Sequence, residues 1–216
     1  MARRANVPFI ATGHTADDQA ETVLFRMLRG SGLRGLAGIP PLRRWRGVTI
    51  IRPMLHIRRA MVLDYLAARQ QSFRTDSSNE SLRFARNRIR QQLIPFLERE
   101  FSPLIVARLN TLADQAGQWD RALNLHVVRC LRRCELARSA ALVILDVQKL
   151  ANYSEFLLCE IGRHIWRREH WPQGDMSAAH WHRLAAAMRG AVSAVDFPGG
   201  ISARHLPRVV RIGPGA

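Results

Sequence analysis

Residues 12–32 read TGHTADDQAETVLFRMLRGSG, and they decide the fold class. Thr15 can cap a helix and Asp18 then stands at its third position, the pattern of a capping box. The helix is expected to run to about Arg29 and to stop at Gly30-Ser31-Gly32. On a 3.6-residue wheel His14, Asp17, Asp18 and Glu21 fall at i, i+3, i+4 and i+7, so they share a face. Ala16, Ala20, Val23, Leu24 and Met27 lie on the other side, one face for burial and one for charged work. The run VPFIAT at 7–12 reads as a short buried strand leading into this helix. A strand feeding a helix with charged residues at the junction is the ligand-binding edge of an α/β sheet.

Downstream, Leu33 to Arg46 carries Gly35, Gly38 and Pro40-Pro41 and reads as a loop with at most one helical turn. Val48 to Arg52 is a second strand, closed by Pro53. Ile57 to Arg69 is a helix whose inner surface is assigned to Ala60, Leu63, Tyr65, Leu66 and Ala67. Thr75 to Ser81 is a polar loop, and a helix runs from Arg83 to about Glu100, bending near Pro95. Strand, helix, strand, helix at this spacing predicts an α/β unit with a parallel sheet.

After Ser102-Pro103 the pattern changes to one long helix over Leu104 to Arg138, with Trp119 and Leu123 on its apolar side. A strand at Leu142 to Leu145, a helix from Val147 to about His170 and a helix from Ser177 to Arg189 follow. Short β pieces lie between Ala194 and Ile212. Two domains are therefore expected, 1–102 and a mainly helical 103–216.

Thirty-three basic residues against seventeen acidic ones give a net charge of +16. Solubility needs far less, so a polyanion is the expected partner, nucleic acid or an anionic membrane surface. No apolar run approaches the roughly 20 residues that span a bilayer. The polar, basic start also lacks a signal-peptide core, which places membrane binding behind nucleic acid. Lys149 is the only lysine; arginine suits bidentate phosphate contacts and base stacking, although genomic base composition contributes to such a bias. Cys130, Cys134 and Cys159 form no disulfide framework and read as buried thiols, which fits a reducing cytoplasm.

The acidic stripe has two readings. It is a solvated helix face, or it is a site whose three carboxylates need a cation between them. Mg²⁺ held through Asp17 and Asp18 together with nucleotide phosphates is the matching chemistry; zinc fits less well with one histidine. Arg83, Arg86 and Arg90 likewise share a stripe about 60° wide on a helical wheel. They contact phosphate, lie solvated, or are neutralised by Asp76 and Glu80. His180 and His182 read as structural or exposed, and His126, His164, His170 and His205 have no partner pattern.

GHTADDQAETVLFRMLRGSGLRGLAG at 13–38, IIRPML at 50–55 and RFARNRIRQQLIPFLE at 83–98 resemble, in order and spacing, the tRNA(Ile)-lysidine synthetases of the PP-loop ATP pyrophosphatases. The resemblance is dense over Ile10 to Glu100 and weaker beyond 103, where Val195 to Arg204 is similar to the family's C-terminal β piece. It implies ATP-dependent adenylation of the wobble cytidine of tRNA(Ile) with anticodon CAU, then attack by free L-lysine to give lysidine. Carried over, His14 and Asp18 line the nucleotide and catalytic pocket with Gly13, Glu21 serves lysine, Asp17 shares the motif, and Arg86 is a catalytic arginine. Arg34, Arg83, Arg88 and Arg90 are the implied tRNA contacts, and a homodimer is among the assemblies implied. The family's phosphate loop, Ser-Gly-Gly-x-Asp-Ser, does not occur in the 216 residues. The expectation is an N-terminally truncated chain, with residues 2–6 ending an interrupted helix, that does not hydrolyse ATP alone. The alternatives are a non-catalytic RNA-binding protein and another PP-loop tRNA-modifying enzyme. A thiolase ranks lowest among these, since no cysteine precedes residue 130.

Overall fold

The computed structural model describes residues 7–74, 81–139 and 142–215. Residues 2–6, most of the polar loop and the carboxylates Asp76 and Glu80 lie outside them. Strand β1 (Phe9–Ala11) leads into α1 (Ala16–Leu28), which begins where the sequence says it should. Thr15 takes the cap position with extended backbone, and its side chain and that of Asp18 each accept from the other's backbone N–H. Such a cap is worth about 1 kcal/mol. Ala16, Ala20, Val23 and Leu24 are buried as expected, whereas Met27, one residue from the helix end, is 48% exposed.

The next segment differs from expectation. After a single turn, α2 (Leu33–Leu36), the chain forms a strand, β2 (Leu42–Trp45), which hairpins into β3 (Val48–Ile51). Arg46 and Gly47 both have positive φ, 48° and 84°, as a two-residue hairpin turn twisted with its strands demands. The sheet order is β1-β3-β2, with β1 parallel and β2 antiparallel to β3. At the sheet edge β1 is not the buried strand expected: Phe9 is 59% exposed. Helix α3 (Arg59–Ala68) buries no residue; Val62 and Leu66 are half-covered, while Ala60, Leu63, Tyr65 and Ala67 face water.

Helix α4 (Ala85–Arg88) continues through a π-helical turn, Ile89–Leu93, into α5 (Ile94–Glu100). Pro95 explains the turn. It has no N–H, and its ring would crowd the carbonyl one α-turn back; widening to an i→i+5 bond, Ile94 N–H to Ile89 O, accommodates it. Helix α6 (Ile105–Cys134) follows, 30 residues long.

The compact units are Met1–Arg121 and Ala122–Ala216, so the division falls within α6 and not at the expected residue 102. The physical reason is that Val106, Leu109 and Ala113 pack in the first unit's core with Ala20, Val23, Leu24, Ile89 and Ile94. Trp119, expected inside, is 57% exposed.

The second unit contains β4 (Glu135–Ser139), β5 (Leu142–Asp146), α7 (Val147–Leu150), α8 (Glu155–Arg168), α9 (Ala178–Met188), β6 (Ala194–Phe197), β7 (Ile201–His205) and β8 (Val209–Pro214). Ser154 caps α8 and so splits what reads in sequence as one helix. The strands join in an antiparallel sheet ordered β4-β5-β8-β7-β6, more β-structure than the short pieces expected. Its core centres on Trp166, packed edge-on against Trp171, Trp181 and Phe197. Cys130, Cys134 and Cys159 are buried free thiols in that core.

Candidate active site

The charged face of α1 is not a solvated surface. Glu21 is 1% exposed and Asp18 9%, and arginines from two other elements close over them. Arg90 grips Glu21 with two nitrogens, Nε to Oε1 at 2.5 Å and Nη2 to Oε2 at 3.0 Å. Its Nη2 also donates to Asp18 Oδ1 at 3.1 Å. Arg86 donates from Nε to Glu21 Oε2 at 3.1 Å, and its Nη2 lies 3.7 Å from Asp18 Oδ1. From α3, Arg59 reaches Asp18 Oδ1 at 3.6 Å. Both oxygens of Glu21 thus accept charge-assisted hydrogen bonds, the stronger kind.

Asp17 does a different job. Its Oδ2 accepts the Arg59 backbone N–H at 2.6 Å, and its Oδ1 accepts Arg58 Nε at 3.1 Å. Arg58 at the cap position of α3 makes no side-chain cap, so a carboxylate from α1 caps α3 from outside. Arg58 also bonds Glu98 at 3.2 Å, tying α5 into the same network.

The electrostatics follow from these contacts. Burial pushes the Asp18 carboxyl up, but the Thr15 N–H and hydroxyl, then Arg59 and Arg90, outweigh it and hold the group below its ordinary value. The hydrogen bond from Arg90 to Glu21 raises the guanidinium above its ordinary value against the opposing effect of burial. The cation that three carboxylates on one stripe require is therefore guanidinium. Asp17 and Asp18 have their oxygens engaged by N–H and O–H donors in a cationic setting, which does not suit a divalent ion. Among the described residues no group of three or more potential ligands is placed to hold a metal.

Of the residues singled out in sequence, Asp17, Asp18, Glu21, Arg86 and Arg90 come together in one network. His14 does not join the helix face: it precedes the cap, half-buried, with Nδ1 2.9 Å from Thr12 Oγ1. Gly13 is exposed in the turn between β1 and α1, where a Cβ would touch Met54 Cε at 3.4 Å. Arg83 lies before α4 and exposed, and Arg88 folds back onto the carbonyls of Leu82 and Arg83 at 2.9 and 3.2 Å. Arg34 is exposed on α2, with no ion pair among the described residues. Sequence reasoning misses Arg58 and Arg59. Two arginines at a helix N-terminus oppose the helix dipole, and that conflict is the signal that acids must face them.

A PP-loop domain model matches residues 1–97. The chain is 50% identical over 113 residues to a tRNA(Ile)-lysidine synthase of Symbiobacterium thermophilum, covering 52% of this chain and 23% of that protein. It is 39% identical over 131 residues to one of Chlorobaculum tepidum, 61% of this chain and 38% of that protein. A third, from Solibacter usitatus, is 41% identical over 150 residues, 66% of this chain and 33% of that protein. The chain thus spans roughly a quarter to two fifths of the length of these relatives. With the α1 motif and its arginines in place at the carboxyl end of β1, residues 1–97 match a PP-loop domain, and over this part the chain is similar to tRNA(Ile)-lysidine synthases.

Proposed function

We propose that this chain supplies the carboxylate and guanidinium part of an ATP-dependent tRNA(Ile)-lysidine synthase site. The reaction joins the C2 oxygen of the wobble cytidine to the α-phosphate of ATP with loss of pyrophosphate. The ε-amine of free L-lysine then attacks C2, and AMP leaves. The observation that carries the reading is the buried Glu21, held by Arg86 and Arg90 beside Asp18 at the carboxyl end of a strand.

Each residue has a task consistent with its setting. Arg86 is half-exposed, so it can turn its free edge to a phosphate without leaving Glu21, and there it stabilises charge developing on the departing group. The ε-ammonium of lysine is assigned to Asp18 and Glu21, where it would replace one of the guanidinium contacts that engage them. His14, oriented through Thr12, stands half-buried in the turn ahead of α1 with its other ring nitrogen left for a ligand. Gly13 leaves the backbone there open to a nucleotide. The +16 chain holds the tRNA electrostatically, with Arg34, Arg83 and Arg88 as exposed candidates for phosphate contacts. Arg90 belongs to the network and positions Glu21; it is not a free RNA contact.

Adenylation also needs donors for the β- and γ-phosphates, and the 216 residues hold no Ser-Gly-Gly-x-Asp-Ser. Residues 1–216 alone are therefore expected to bind tRNA without turning over ATP. That observation also favours a second reading, a non-catalytic RNA-binding chain. The test incubates the purified chain with tRNA(Ile) transcript, ATP and lysine, alone and with a polypeptide carrying the phosphate loop. AMP and lysidine formed only in the mixture support the synthase reading. No turnover in either, with tRNA still bound, selects the second.

A further inference from the structure

At the C-terminal end of α1, the first unit opens into a groove of about 890 Å³ between α1 and the α4–α5 helix. Phe25, Phe84 and Phe96 supply its flat surfaces, and Arg29, Arg86 and Arg88 stand among them. Phe84 is 62% exposed and Phe96 44%, so two aromatic rings face solvent inside a cavity. Exposed phenyl rings in a concave site cost solvation that a ligand would recover. Among the described residues the groove is lined by no acidic side chain. Arg29 lies over the Phe25 ring at 4.8 Å, and neither it nor Arg88 makes an ion pair among the described residues.

Charge complementarity selects the occupant. A wholly apolar segment would leave the guanidinium groups of Arg29 and Arg88 without counter-charge among the described residues, and a simple anion would leave the rings uncovered. A ligand with flat π faces joined by phosphates satisfies both, which is the chemistry of single-stranded nucleic acid. Arg86 links the places: one edge of its guanidinium holds Glu21 and its body lines the groove. A nucleotide in the groove would thus sit beside the network described above.

We propose that this groove is a base-stacking subsite for unpaired RNA, with Phe84 as the stacking platform and Arg29 and Arg88 meeting the flanking phosphates. It rests on the reading of the chain as one that acts on tRNA, and it adds where unpaired nucleotides of that RNA lie. Phe84 stands at the cap position of α4 with most of its side chain in solvent, so replacing the ring leaves the core untouched.

The experiment measures binding of the whole chain to a single-stranded RNA oligonucleotide, to an RNA duplex and to inorganic polyphosphate, for wild type, Phe84→Leu and Phe84→Trp. Loss of one base stack corresponds to roughly 5- to 150-fold in affinity. Phe84→Leu is expected to lose that on the single strand and less than twofold on duplex and polyphosphate, while Phe84→Trp retains or improves single-strand binding. Equal affinity of wild type and Phe84→Leu for the single strand overturns the subsite and leaves the tRNA reading standing. No binding of any RNA by wild type overturns both. Self-association that Phe84→Leu abolishes, with RNA affinity unchanged, assigns the groove to a second polypeptide and overturns the proposal as well.

Discussion

Replacing Arg90 by alanine is the sharpest test of the buried network. The substitution removes both hydrogen bonds that Arg90 gives Glu21 and the one it gives Asp18. Glu21 is 1% exposed, so water cannot take over the lost partner. Stripping one member from a buried pair costs about 3–5 kcal/mol when the remaining charge is left uncompensated. Here Arg86 still bonds Oε2 and the Arg90 side chain is itself 23% exposed, which brings the loss to or below the bottom of that range, about 2–3 kcal/mol. For a chain of this length that is a fall of about 5–10 °C in the transition of the first unit, read by scanning calorimetry at neutral pH. Arg34→Ala, on an exposed arginine with no ion pair among the described residues, is the control and should stay within about 0.5 kcal/mol of wild type. The double variant Glu21→Leu/Arg90→Leu removes both charges, and it should recover part of the loss because no buried charge remains unpaired. An Arg90→Ala protein within about 0.5 kcal/mol of wild type, or a double variant less stable than Arg90→Ala, would refute the reasoning.

Other consequences are equally direct. Asp17→Ala should cost about 1–2 kcal/mol through the lost cap on α3, with faster amide exchange at Arg59, while Asp17→Asn keeps an acceptor and costs less; unchanged exchange in the alanine variant would remove the cap from the account. Asp18 has a folded-state value held below its ordinary 3.8, so its contribution to stability is fully present above that pH and is lost as pH falls below it. Acid unfolding of Asp18→Asn, followed by circular dichroism, should therefore be shallower below pH 4 than that of wild type. In a protein that includes the phosphate loop, Arg86→Ala should reduce lysidine formation far more than tRNA affinity; equal losses would make Arg86 a plain phosphate contact. Burial pushes the Cys134 thiol up to about 11, which leaves about a hundredfold less thiolate at pH 8 than an ordinary cysteine has. Alkylation of Cys134, quantified by mass spectrometry, should then track unfolding.

How legible the molecule was depended on whether the signal was local. The Thr15–Asp18 cap, the disturbance at Pro95 and the Ser177 cap of α9 are written in a few adjacent residues, and each was readable. Strand β2 was not, because all four of its residues are exposed and show no alternation; its one signal was Arg46-Gly47, with arginine where glycine or asparagine is usual. Helix α3 misled through its apolar content. The apolar content assigns Leu63 and Tyr65 an inner side, yet they are 41% and 57% exposed. The candidate site divided along the same line. Spacing identified Asp17, Asp18 and Glu21, but only tertiary structure shows that their counter-charges come from Arg58, Arg59, Arg86 and Arg90, between 41 and 72 positions away by |i−j|.

The π turn at Ile89–Leu93 has a consequence for how this segment can change over time. A π turn is in effect one residue spliced into an α-helix, and it advances everything beyond it by about 100°. Ahead of it Arg86 points to the carboxylates; behind it Ile94 keeps its place in the core. Losing a single residue here, Gln91 for example, would restore a uniform helix and put these two halves out of phase. Either the guanidinium or the isoleucine would then face the wrong way. Substitutions at exposed positions of this turn are cheap, whereas an insertion or deletion of one residue is not. The segment is thus open to point mutation and closed to changes in length, like a thread whose pitch must match at both ends.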